Sequence, residues 1–175
     1  MPNWCYNEIK VQGSKEALLE IGQLLVEAKR DGDKLLEKIL PIPDHIFRGN
    51  VGSDRIGVLD ENGEPTEWYT WCCEYWGTKW DVDGLEFDIT ETEIGISFLT
   101  AWTPPREAMC ILSEKLNCTI THNFFEWGDN FVGSIKFVNG EVVVDEWVNC
   151  SKEALIKYGF DGEVFYDRSD DGEST

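Results

Sequence analysis

Six aromatic residues fall within thirteen positions: Trp68, Tyr69, Trp71, Tyr75, Trp76 and Trp80, with Lys79 and Asp81 at their end. Flat rings beside one cation and one carboxylate are the chemistry of a stacking platform or a small-ligand pocket, with Lys79 and Asp81 as its polar handles. The same aromatic area also suits a second small core, because large rings usually go inside. The two readings are compatible if some rings face inward and others line a site. The candidate ligand-binding set is Trp71, Trp76, Lys79, Trp80 and Asp81.

The second chemical signal is charge. The chain holds 34 acids and 15 bases in 175 residues, a net charge of −19. Residues 54–93 contribute −10 and residues 141–175 contribute −7, while 1–53 and 94–140 contribute −1 each. Such a field repels nucleic acid and anionic membranes. It favours a protein partner whose basic surface normally binds polyanions. Glu86, Asp88, Glu91 and Glu93 are the candidate interaction surface, because alternating strand residues supply outward acids two positions apart.

Catalytic patterns are missing. The two histidines, His45 and His122, have no Cys, Asp or Glu at ligand spacing. No nucleophile elbow, P-loop, dinucleotide fingerprint or zinc spacing is present, so no cofactor, metal or catalytic residue is expected. Asp60, Glu61, Asp81 and Asp83 do not meet the calcium-loop pattern and read as solvated acids. His122 alternates with Ile120 and Phe124 on an apolar face and reads as a core histidine, and His45 as an exposed one. Six scattered cysteines without a Cys-x-x-Cys read as free thiols in a reducing compartment. No apolar run spans a bilayer and no secretory signal opens the chain, so a cytoplasmic protein is expected.

The elements follow from periodicity. Asn3 to Gln12 alternates as a strand, and Ser14 caps a helix whose stripe is Ala17, Leu18, Ile21, Leu24, Leu25 and Ala28. Residues 34–83 form an insertion: a short helix over 34–40, a Gly/Pro-rich acidic loop with a possible hairpin at Ile56–Leu59, then a short aromatic helix. Leu85 to Ile89 and Ile94 to Ala101 read as strands joined by a tight turn. Thr103 caps a helix with Pro104 at its first position. Cys118 to Phe125 is a further strand. Asn139-Gly140 predicts a type I′ hairpin that sets Val138 opposite Glu141 and Lys136 opposite Val143. A short helix spans Ser151 to Tyr158, within a C-terminal extension over 151–166, and 167–175 reads as a disordered acidic tail. The first strand is expected at the sheet centre, parallel to Ile94–Ala101. Trp76 and Trp80 are expected mostly buried, with Gly77 allowing a bend between them. The open sheet face would offer one aromatic, Tyr6, among Glu8, Lys10, Glu86, Asp88, Ser97, Leu99 and Thr121, which disfavours direct binding of nucleic acid.

Three phrases add a resemblance: Met1-Pro-Asn-Trp-Cys-Tyr-Asn7, Trp76-Gly-Thr-Lys-Trp-Asp81 and Thr100-Ala-Trp-Thr-Pro-Pro105. Over roughly residues 1–140 the chain resembles the YubB-type ferredoxin-like domain of phage and plasmid proteins. The resemblance implies an α+β sandwich and a mobile-element origin, and no activity. The order β-α-(insertion)-β-β-α-β-β-β is independently the split βαβ pattern with an extra hairpin. We therefore read residues 1–150 as a single ferredoxin-like domain, an antiparallel sheet with two helices on one face. The expected function is that of a non-enzymatic interaction protein of a phage or other mobile element, whose acidic surface imitates DNA and inhibits a nucleic-acid-binding or defence protein of a bacterial host. The alternative is a small-ligand binder or enzyme centred on the Trp-rich insertion.

Overall fold

The structure is a computed structural model that describes residues 3–161. The expected tail over 167–175 and the last part of the C-terminal extension lie outside the described residues.

Strand β1 (Trp4–Gln12) buries every second residue, Cys5, Asn7, Ile9 and Val11. Helix α1 (Lys15–Arg30) starts at Ser14, whose hydroxyl accepts the Ala17 N–H at 3.1 Å. It lays Leu18, Ile21, Leu25 and Ala28 on the sheet. The insertion supplies α2 (Leu35–Ile39) and α3 (Trp68–Tyr75). Then come β2 (Asp83–Ile89), β3 (Glu93–Ala101), α4 (Arg106–Lys115), β4 (Thr119–Glu126), β5 (Phe131–Val138), β6 (Glu141–Asn149) and α5 (Lys152–Lys157).

The strands form one sheet in the order β2-β3-β1-β4-β5-β6. The fold is ferredoxin-like. Strand β1 is central and its partner is β3, as expected, but the two run antiparallel, Trp4 opposite Ala101 and Gln12 opposite Glu93. The correction has a simple cause. Helix α1 returns β2 in the direction of β1, and the tight turn at 90–92 then reverses β3, which slots between them antiparallel to both. Helices α1 and α4 cover one face with the insertion helices beside them. Helix α5 lies on the opposite face, where Leu155, Tyr158 and Phe160 seal Phe125 and Val132.

Three local expectations are corrected. Asn139 and Gly140 do take positive φ (51° and 84°), and Val138 faces Glu141, but Lys136 faces Val144. A bulge places Val143 outside the ladder and shifts the register by one. Helix α4 begins at Arg106 with Pro105 before it, because the Thr103 hydroxyl donates instead to the Gly77 carbonyl at 2.7 Å. Ile56–Leu59 is not a hairpin; a lone bridge joins Leu59 to Pro65 around a turn held by the Asp60 carboxylate.

Candidate functional site

The described residues of the three phrases that carry the resemblance meet in space. The Thr78 hydroxyl donates to the Ala101 carbonyl at 2.9 Å, and the Trp102 N–H donates to the Asn3 carbonyl at 2.9 Å. Asn7 Nδ2 donates to Thr100 Oγ1 at 2.9 Å, and that hydroxyl donates to the Thr103 carbonyl at 2.8 Å. Gly77 has φ +83°, and a Cβ there would collide with the Glu107 carboxylate and come within 3.0 Å of the Arg106 nitrogen. The bend after Trp76 therefore requires glycine.

This knot fixes an unusual surface. Trp102 has φ +69°, a conformation that costs a bulky residue on the order of 1–3 kcal/mol and persists only where its surroundings impose it. Its ring faces the Lys79 ammonium at 4.9 Å, and Tyr69 and Trp80 complete the enclosure at 5.2 and 4.6 Å. Each such contact contributes roughly 0.5–1 kcal/mol when partly exposed. Among the described residues Lys79 has no carboxylate partner. Tyr69 belongs to the aromatic run read from sequence; Trp102 was missed because it arrives from the end of β3.

Trp80 also lines a cleft of about 420 Å³, together with Trp68, Trp76, Lys34, Ile42 and Arg48. Glu37 and Asp81 reach the same cleft. Glu37 pairs with Arg48 at 3.3 Å. Asp81 is not a free handle. Its carboxylate accepts the N–H groups of Leu36 (2.8 Å), Glu37 (3.0 Å) and Val82 (2.9 Å), capping α2 from 45 residues away. Burial pushes its pKa up, and those hydrogen bonds oppose the rise.

The remaining ligand candidates divide. Trp71 is buried, stacked on Tyr75 at 5.1 Å and edge-on to Trp76. Trp76 is buried with its indole N–H donated to the Leu40 carbonyl at 2.9 Å. Both serve the core of the insertion, and Trp76 presents one edge to the cleft. Trp80 is only half-buried, less than expected. Trp80 and Lys79 are thus the surface pair, and Trp71 and Asp81 are structural.

Of the acidic candidates, Glu86 and Asp88 lie on the edge strand β2, Glu91 in the turn after it and Glu93 at the start of β3. Glu86, Asp88 and Glu91 are exposed, while Glu93 is half-buried and paired with Lys10 at 3.2 Å. Glu141, Asp145 and Glu146 lie on β6 at the opposite edge, five strand spacings or roughly 24 Å away. One cross-strand row, Glu86–Ser97–Glu8–Asn123–Ser134–Glu146, carries carboxylates from edge to edge. Burial pushes the Glu8 carboxyl up.

His122 is fully buried. Asn7 Nδ2 donates to the Cys5 carbonyl and Thr100, so Asn7 Oδ1 accepts from His122 Nε2 at 2.9 Å. This leaves Nδ1 as an acceptor without a donor among the described residues, and burial pushes the pKa down to about 3. Burial also pushes the Cys72 thiol up to about 12 and those of Cys118 and Cys150 to about 11, which keeps them protonated and unreactive at neutral pH. Among the described residues no three His, Cys, Asp or Glu side chains are placed to hold a metal ion, and no helix is long and apolar enough to cross a membrane.

This sheet, its helices and its extra hairpin define a protein of the ferredoxin-like α+β class. The chain belongs to the family described as the ferredoxin-like domain in Api92-like protein, which matches residues 75–167. It is 35% identical over 95 residues to the uncharacterized protein YubB of Escherichia coli (strain K12), over 52% of this chain and 63% of YubB. It thus spans under two thirds of that relative. The crystal structure of the protein api92 from Yersinia pseudotuberculosis is similar with a TM-score of 0.55 at 13% identity, over 86% of this chain and 99% of that one. That likeness concerns the fold alone.

Proposed function

We propose that this chain is a non-enzymatic binding protein whose ligand site is the cleft beside Trp80. The observation that carries the reading is that two partly buried indoles, Trp68 and Trp80, wall an open cleft whose charges balance: Lys34 and Arg48 against Glu37 and Asp81. Flat apolar walls with few polar groups suit a planar small molecule. The balanced charge suits a neutral or zwitterionic one, since the −19 field disfavours anions at long range. Tryptophan fluorescence titrated with adenosine, indole and free tryptophan tests it. At least one should give a saturable change that Trp80→Ala abolishes with the melting temperature nearly unchanged. No saturable change with any of the three in the millimolar range would sink the reading.

A second reading follows from the carboxylate row that runs from Glu86 through Glu8 to Glu146. It is the recruitment of a basic-surfaced protein in the cytoplasm of a bacterial host by a phage or plasmid product. The bacterial sources of both relatives support it. The separation of the acidic stretches to opposite edges makes it the weaker of the two. A pull-down from bacterial lysate should then recover a nucleic-acid-binding protein at low salt and lose it at high salt and on Glu86→Gln with Asp88→Asn. Recovery that survives both changes would discard it.

A further inference from the structure

Strand β6 ends the sheet, so among the described residues its outward backbone groups meet no strand. Val142, Val143, Trp147 and Val148 on it are 40%, 52%, 43% and 41% exposed. Its two mid-strand acids are neutralised within the chain. Arg106 Nη2 lies 2.7 Å from Asp145 Oδ2, and Lys157 Nζ lies 3.1 Å from Glu146 Oε2. Trp147 is held in place: its indole N–H donates to Asp145 Oδ1 at 2.6 Å, and its ring leans on Phe124 at 4.4 Å and Phe131 at 5.1 Å. An edge strand that exposes apolar side chains and has its mid-strand charges paired is a template for another strand.

We propose that β6 pairs antiparallel with β6 of a second copy, about a twofold axis at Trp147. A twofold axis makes the interface self-complementary, so every pairing is answered by its mirror. A register centred on Asp145 opposes two carboxylates and runs into the bulge at Val143. One centred on Glu146 opposes two carboxylates again. Centres beyond Trp147 shorten the paired stretch. With the axis at Trp147, Asp145 faces the partner's Asn149, Glu146 faces the partner's Val148, and Val144 faces the partner's Cys150. No like charges are directly opposed, and the paired stretch begins beyond the bulge at Val143. The axis falls on a rigid tryptophan, a residue type enriched at interface centres.

Charge separates this occupant from any other. Two copies at −19 each repel, and salt screens that repulsion over a Debye length of about 8 Å at physiological strength. Self-association therefore tightens as salt rises, whereas a basic partner is released.

Sedimentation velocity of the full chain from micromolar to millimolar concentration, at roughly 0.05 and 0.5 M NaCl, reads the difference. The mass should move from one chain toward two as concentration rises, further at the higher salt. Asn149→Asp sets a carboxylate against the partner's Asp145, and Val148→Glu sets one against the partner's Glu146. Each adds two like-charge pairs per dimer and should weaken it about tenfold. Both positions are exposed, so the melting temperature of the monomer should hold. Ile89→Glu, on the other edge, should leave the dimer unchanged. A chain that stays monomeric at high salt, a dimer indifferent to both substitutions, or one that weakens with salt would overturn the proposal.

Discussion

The two edges of the sheet are built on opposite plans. Strand β2 is seven residues long, bulged between Asp83 and Glu86, and carries Glu86 and Asp88 exposed and, among the described residues, without a base. Strand β6 is nine residues long, exposes three valines and a tryptophan, and has its two mid-strand acids paired with Arg106 and Lys157. Charges and bulges are how proteins keep strand edges from pairing. The β2 edge carries both. The β6 edge carries a bulge at its start and is regular from Val144 onward. Overall charge therefore says little about where this protein can be sticky. What decides it is whether each carboxylate has a partner.

Acid breaks the comparison most severely, by unfolding both edges together from the strand between them. The buried imidazole of His122 has its pKa pushed down to about 3. An unfolded histidine titrates near 6.5. Above that pH both states are neutral and the group contributes no pH dependence. Below it the unfolded chain takes up a proton that the folded chain refuses. Stability then falls by roughly 1.4 kcal/mol per pH unit, by at most about 5 kcal/mol, until the folded state also protonates near pH 3. Denaturant melts from pH 7 to pH 4 should show that slope, and His122→Phe should flatten it whatever its cost at neutral pH. An unchanged slope would show that other groups set the acid sensitivity.

The next contrast sets a buried tryptophan of the insertion against an exposed one on the β6 edge. Trp76 is 3% exposed, belongs to the main core, packs edge-on to Trp71 and donates its indole N–H to the Leu40 carbonyl. Replacing it with Ala should cost roughly 3–5 kcal/mol. Trp147 is 43% exposed, and its replacement with Ala should cost roughly 1–2 kcal/mol in a monomer. Urea midpoints at micromolar protein measure both. Equal losses would mean that β6 is as deeply integrated as the insertion, and its edge no freer than a core strand.

Much of this architecture was legible because strands with one buried face alternate. Cys5, Asn7, Ile9 and Val11 in β1 and Ile94, Ile96 and Phe98 in β3 declare their faces, and Ser14 and Asn139-Gly140 declare a cap and a turn. What stayed hidden depends on distant chain. Asp81 looked like a free carboxylate because the helix end it caps lies 45 residues earlier. The enclosure around Lys79 needed Trp102, which only the Thr78–Ala101 and Thr103–Gly77 hydrogen bonds bring near. The bulge at Val143 leaves no trace in a run of three valines that reads equally well in either register.

The smallest change in stability should bring the largest change in assembly. Glu86→Gln with Asp88→Asn alters exposed positions without packed neighbours, so stability should move by less than about 0.5 kcal/mol. It also removes the exposed charges that guard the β2 edge, and leaves the bulge and the exposed Ile89. A chain with one open edge closes as a twofold dimer. A chain with two open edges has no closed arrangement and can add copies at both ends of the sheet. Light scattering on the double variant at millimolar concentration and high salt should therefore show growth beyond the dimer, while the parent chain stops at two. Adding Val148→Glu should stop that growth by disabling the β6 edge. If the double variant matches the parent, the bulge at Asp83–Glu86 alone suffices to protect β2, and the carboxylates there answer to something other than edge protection.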